Sequence, residues 1–86
     1  MHQAIETHWI PVTNRKPNRV KAVCNAGKVI LSWDDGLNAP DNHRRAAETL
    51  ARQKGWTGRW HGGAVRGNGY CFVIETGDVR DLFAIE

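Results

Sequence analysis

The side chains of this 86-residue chain that carry chemistry by type are its histidines, its two cysteines and the adjacent aspartates Asp34 and Asp35. Spacing decides whether they can use it. His2, His8, His43 and His61 contain no His-x3-His step and neither Cys24 nor Cys71 belongs to a CxxC, so the ligand spacing of a structural or catalytic zinc site is missing. No metal and no other cofactor is expected. A cysteine nucleophile would need Cys24 or Cys71 to meet His43 or His61 in an electropositive, accessible setting. Both cysteines instead fall in apolar strand-like runs, where they read as small buried hydrophobes rather than nucleophiles or disulfide partners. His43 lies one turn before Ala46 and Ala47 and reads as a boundary histidine satisfied by a hydrogen bond. Neighbouring carboxylates in an extended chain point to opposite faces, so Asp34 and Asp35 cannot share a proton; Asp34 reads as the cross-strand partner of Arg19. The stretch GGAVRGNG lacks the GK[ST] of a phosphate loop, precedes a strand instead of a helix, and is accounted for by a turn. No catalytic constellation emerges, and the expectation is a protein that is not an enzyme.

Binding chemistry is better represented. Arg15, Lys16, Arg19 and Lys21 crowd the approach to one hairpin, Arg44, Arg45 and Arg52 punctuate a helix, and Arg59 stands beside Trp60. Cations interleaved with aromatics can track phosphates, although no ribonucleoprotein motif, GXXG loop or helix-turn-helix accompanies them. The net charge of +3 is small, yet residues 15–66 hold eleven Lys and Arg against four Asp and Glu, while residues 67–86 hold one against four. A competing surface is apolar: Val23 and Ile30 project from the outer side of a hairpin, and with Trp60 they form a candidate protein-contact patch.

These groups must be positioned by a few elements. Asn38 to Trp56 reads as one amphipathic helix over about 39–54. Asn38 is the N-cap, Pro40 lies in the first turn, Asp41 faces the positive helix end, and Gly55 follows a C-cap at Lys54 so that Trp56 folds back onto Leu50 and Ala51. Ala46, Ala47, Leu50 and Ala51 make the buried stripe, and an alanine face lies close against a sheet. Arg19 to Asp35 reads as a hairpin turning at Ala26-Gly27, which pairs Cys24 with Val29, Ala22 with Leu31 and Val20 with Trp33 on an apolar face, and Val23 with Ile30 on the other. A second hairpin turns at Asn68-Gly69 and sets Gly67 against Tyr70, Val65 against Phe72 and Gly63 against Ile74, large residues leaning over glycines. Glu6 to Pro11 reads as a short edge strand, residues 12–18 as a loop, and Val79, Leu82 and Phe83 as a short closing turn over a sheet edge. The fold class is therefore α+β: a small antiparallel sheet of two hairpins and an N-terminal strand, with one helix on one face.

Eighty-six residues make a single domain, 1–86, with little material for a deep pocket. No run approaches the roughly twenty apolar residues that span a bilayer, so no membrane association is expected. The N-terminal MHQAIETHW lacks the basic and apolar regions of a secretory signal, which points to the cytoplasm.

Through PVTNRKPNRVKAVCNAGKVILSW, HRRAAETLARQKGW and GNGYCFV the chain resembles a group of short uncharacterised proteins encoded on proteobacterial plasmids and phages. The shared elements are a Thr-Asn before a basic strand, an alanine-rich helix ending in Gly-Trp, and a Gly-Tyr-x-Phe-Val strand; Lys16, Pro17 and Asn18 stand where relatives carry small residues. The resemblance implies an accessory gene of a mobile element, a setting in which small inhibitors of host defence enzymes, anti-CRISPR proteins among them, are common. The resulting expectation is a non-catalytic module that occludes a larger host or defence-system protein through Val23, Ile30 and Trp60. The alternative is a nucleic-acid-binding accessory protein using Arg15, Lys16, Arg19, Lys21, Arg44, Arg45, Arg52 and Arg59.

Overall fold

A computed structural model describes residues 3–67, 69–75 and 85. Its elements run β1 (Ile5–Ile10), β2 (Arg19–Cys24), β3 (Gly27–Ser32), α1 (Ala39–Gln53), β4 (Trp60–Val65) and β5 (Gly69–Ile74). The strands form one antiparallel sheet in the order β3-β2-β1-β5-β4, with α1 across one face. The α+β architecture expected from the hairpins and the helix is the one observed. The proposed closing turn at Val79, Leu82 and Phe83 lies outside the described residues.

The helix begins and ends where its local chemistry dictates. Asn38 Oδ1 accepts the backbone N–H of Asp41 at 2.9 Å, and Pro40 occupies the first turn. At the other end Gly55 takes φ +72°, its N–H donates to Arg52 O, and Trp56 N–H donates to Ala51 O at 2.9 Å. This double closure caps the last carbonyls and folds the Trp56 ring onto the core. The buried stripe contains Ala46, Ala47, Leu50 and Ala51 and extends one turn further back, to Asn42 and His43. It packs on Ile5, Val20, Ala22 and Phe72 from the sheet.

Three registers differ from the sequence reading. First, β1 is the central strand and not an edge, flanked by β2 (Thr7 opposite Ala22) and β5 (Thr7 opposite Tyr70). Second, the β2–β3 hairpin pairs Cys24 with Gly27, Ala22 with Val29 and Val20 with Leu31, two residues away from the expected pairing. A slip of two leaves every side chain on its face, so Val20, Ala22, Val29 and Leu31 still point to the helix, but Val23 now faces Lys28 and Ile30 faces Lys21. Gly27, at φ +153°, opens β3; a Cβ there would lie 2.9 Å from Lys54 Nζ. Arg19 accordingly faces Ser32, and the expected Arg19–Asp34 pair does not form. Asp34 instead folds its carboxylate back onto the Gly36 N–H.

Third, the β4–β5 hairpin is shifted by three residues: Val65 faces Gly69, Ala64 faces Tyr70, Gly62 faces Phe72 and Trp60 faces Ile74. An odd shift reverses the face of one strand relative to the other. The positive φ of the turn falls on Gly67 (+78°), whereas Gly69 begins β5, where a Cβ would come within 2.8 Å of the Thr7 carbonyl oxygen. Gly69 is needed for close approach of β5 to β1 and not for the turn. A large residue over a glycine does occur, but the pair is Phe72 over Gly62, where a Cβ would fall 2.4 Å from the ring.

Candidate binding surfaces

Alternation along each strand assigns the two faces of the sheet. Ile5, Thr7, Val20, Ala22, Tyr70 and Phe72 look toward the helix, and Glu6, His8, Ile10, Arg19, Lys21, Val23, Lys28, Ile30, Cys71 and Val73 look away. No described element packs on this outer face. Its aliphatic side chains are Ile10, Val23, Ile30, Val65 and Val73, of which Ile30, Val65 and Val73 are more than two-fifths exposed. They alternate with Arg19, Lys21 and Lys28, while Glu6 is paired with His8 at 3.4 Å. Val23 and Ile30 are thus brought together as diagonal neighbours, but Trp60 is not with them. It lies on the helix side of β4, stacked on Trp56 with ring centroids 6.4 Å apart. The sequence reading missed Ile10 and Val73, which the register places opposite Arg19 and His61 on this face.

The proposed phosphate-tracking cations are divided by the sheet. Arg19 and Lys21 lie on the outer face and Arg15 and Lys16 in the exposed loop between β1 and β2, whereas Arg44, Arg45 and Arg52 belong to the helix on the other side. The helix arginines are also engaged: Arg44 with Asp41 at 3.7 Å, Arg52 with Glu48, and Arg45 with the Ser32 carbonyl. Arg59 pairs with Glu75 at 3.8 Å. The eight cations therefore do not share one face of the sheet.

On its own side the helix reaches from β3 to β5 and leaves β4 largely uncovered. Two clefts open along this flank. One, of about 450 Å³, is walled by Ala47, Ala51, Trp56, Trp60 and Phe72 and floored by Gly62. The other, of about 470 Å³, sits at the helix start between Trp9, Trp33, Tyr70, Ala64 and Asn18. His43 lines this second cleft and is no boundary residue: it is 1% exposed, wedged edge-on to Trp33 and 4.5 Å from the Tyr70 ring. The stripe runs through it, and Thr7 on the central strand supplies its partner, with Oγ1 and Nδ1 2.7 Å apart. Thr7 Oγ1 also lies 3.4 Å from the Tyr70 carbonyl oxygen, so this one hydroxyl links the helix histidine to β5.

Burial, and secondarily the nearby His8, pushes the His43 pKa below the ordinary imidazole value near 6.5. Below about that pH the unfolded chain takes up a proton that the folded chain refuses, so the stabilisation present above pH 6.5 is lost as pH falls toward the lowered value. Thermal melts from pH 8 to pH 5 should therefore decline on the acid side, and His43→Gln should flatten part of that decline. An identical acid slope in the variant would show that His43 does not titrate differently in the two states.

The other reactive groups are dispersed. Cys24 packs at the edge of the core, Cys71 faces the opposite side of the sheet, and both are free. Burial and then Glu6 raise the Cys71 thiol above its usual range, which disfavours the thiolate. His61 is 3.8 Å from Glu75 on the far edge. Among the described residues no three His, Cys, Asp or Glu side chains are gathered as metal ligands, and no helix is long and apolar enough to cross a membrane. No family model, curated protein or solved structure matches the chain.

Proposed function

We propose that the protein is a small non-catalytic binding module of a mobile genetic element, acting by docking onto and occluding a larger protein of the host or its defence system. The observation that supports this reading is the uncovered outer face of the sheet, where Ile10, Val23, Ile30 and Val73 stand among Arg19, Lys21 and Lys28. A protein surface fits it by having an apolar centre and an acidic rim, since Arg19, Lys21 and Lys28 stand among the aliphatics while Glu6 is already beside His8 and Glu75, just past β5, beside Arg59 and His61. Trp60 has no part in this patch; Val73 takes its place. The plasmid and phage resemblance supplies the setting, and a cytoplasmic site of action follows from it. The competing nucleic-acid surface is weakened by the ion pairs of Arg44, Arg52 and Arg59 and by the sheet that separates the helix from Arg19 and Lys21.

Copurification from a plasmid-bearing host, followed by reconstitution with the identified partner, tests the reading. Ile30→Glu and Val73→Glu should each weaken the purified complex at least tenfold, because each puts a carboxylate into a desolvated apolar centre facing an acidic rim. The Arg15→Ala/Lys16→Ala double variant should bind normally. Binding that survives both glutamates and fails in the double variant would defeat the sheet-face assignment.

A further inference from the structure

The two edges of the sheet are finished differently. At β3 the edge is guarded: Lys28 stands on it, α1 packs against it, and Arg45 donates to the Ser32 carbonyl. At β4 it is bare. The strand WHGGAV carries no Lys, Arg, Asp, Glu or Pro, α1 leaves it largely uncovered, and every residue from His61 to Val65 is exposed. The Glu75 N–H donates to the Arg59 carbonyl at 2.7 Å, which makes these two residues a hydrogen-bonded pair of the β4–β5 ladder. Alternation from there spends the backbone of His61, Gly63 and Val65 on β5. It turns the N–H and C=O groups of Trp60, Gly62 and Ala64 to the open side, where among the described residues no strand meets them. Such a row of free groups is a template for one more strand.

The residues of β4 say which strand fits. If the added strand is a second, antiparallel β4, one register alone engages Trp60, Gly62 and Ala64 on both copies, and it sets Gly62 opposite Gly62 on a two-fold axis. Trp60 then falls opposite Ala64, and His61 opposite Gly63. Each bulky side chain leans over a small one, as Phe72 already does over Gly62 within the chain. Arg59, held by Glu75, falls opposite Val65 and not opposite Arg66, so the flanking cations of the two copies are not paired with each other. An axis normal to the sheet also keeps both helices on one face. The open flanks beside β4, with Trp56, Trp60 and Phe72 on their walls, then face each other across the axis.

We propose that the protein forms a symmetric dimer through β4, its two five-stranded sheets joined edge to edge into one continuous sheet with Gly62 at the axis. Trp60, which has no part in the docking patch, is an interface residue here. The dimer rests on the edge of the sheet and not on the docking reading.

Sedimentation equilibrium from micromolar to millimolar protein should show a monomer–dimer equilibrium. Amide exchange should locate it: the N–H groups of Gly62 and Ala64 should exchange more slowly as concentration rises, while those of Lys28 and Ile30 on the guarded edge stay unchanged. In a mixture of isotope-labelled and unlabelled chains, the Hα protons of His61 and Gly63 should give an intermolecular Overhauser contact, since this register makes them a close non-hydrogen-bonded pair. These measurements need no substitution. Ala64→Pro removes an N–H that β5 does not use, and Gly63→Lys places a cation near its own copy across the axis, at a position where a Cβ meets nothing within 4 Å. Each, with a melt like the parent's, should weaken the dimer at least tenfold. Ile30→Glu should leave dimerisation unchanged, so failure here and failure of the docking reading are separable. A chain that sediments as a monomer at millimolar concentration overturns the proposal; slow exchange of Gly62 and Ala64 in that monomer would give the edge to another segment of the same chain. A dimer that lacks the His61–Gly63 contact and is indifferent to both substitutions overturns it as well.

Discussion

Leu50→Asp should leave the chain unfolded at 25 °C, and Ala47→Asp should come close to doing so. Leu50 is fully buried and Ala47 is 5% exposed, both on the stripe that packs against Ile5, Val20, Ala22 and Phe72. Aspartate at position 50 removes about 2 kcal/mol of apolar burial and adds a carboxylate with no cation beside it on the sheet. The combined cost, roughly 5 kcal/mol or more, matches the whole stability of a small domain. Arg44→Asp on the solvent side is the control. Its side chain is 69% exposed and its contact with Asp41 is a surface pair at 3.7 Å, worth at most about 1 kcal/mol. Far-ultraviolet circular dichroism melts decide the matter: a folded Leu50→Asp beside an unfolded Arg44→Asp would mean that the buried face of the helix has been misassigned.

The helix was legible because everything that delimits it is local. Asn38, Pro40, Lys54, Gly55 and Trp56 act within one turn of the positions they cap, so the sequence alone carries the information. Face assignment within β2 and β3 was legible for a related reason, since the period of two is written in Val20, Ala22, Val29 and Leu31. Register was not. Slipping the first hairpin by two conserves every face, and the choice rests on contacts between remote elements, such as Lys54 over Gly27. In the second hairpin, Gly67 and Gly69 both looked like turn residues; only the approach of the Thr7 carbonyl to Gly69 tells them apart. The central place of β1 was hidden because IETHWI buries only Ile5 and Thr7 and leaves Trp9 at a cleft mouth. Of the functional surfaces, the pairing of Val23 and Ile30 on one face was visible and the removal of Trp60 to the other was not, because a three-residue register error reverses a strand. Asn18 and His43 share a cleft across elements that no spacing in the chain connects.

Asn42 shows how much a single side chain of this kind supports, and Asn42→Asp should be among the most damaging one-atom changes available. The residue is fully buried one turn into the helix. Its Oδ1 accepts the Asp34 N–H at 2.9 Å and an Arg45 Nη2–H at 3.4 Å, and its Nδ2 donates to the carbonyls of Asp34 at 2.9 Å, Asn38 at 3.2 Å and Leu37 at 3.3 Å. One amide thereby ties the chain leaving β3 to the start of the helix, on the segment that carries Trp33 into the cleft. Aspartate keeps the acceptor and replaces the donor with a second oxygen facing three carbonyls. At neutral pH the variant should lose about 3–5 kcal/mol, through lost hydrogen bonds and a buried charge opposed by carbonyl dipoles. Arg45, whose guanidinium lies 3.4 Å from Oδ1, offsets part of that cost. Asn38→Ala, which deletes an exposed cap, should cost only about 1 kcal/mol. Urea midpoints at pH 7 for the three proteins test this ordering. An Asn42→Asp variant within about 0.5 kcal/mol of the parent at pH 7 would mean that water, and not this amide, satisfies the carbonyls of Asp34, Leu37 and Asn38.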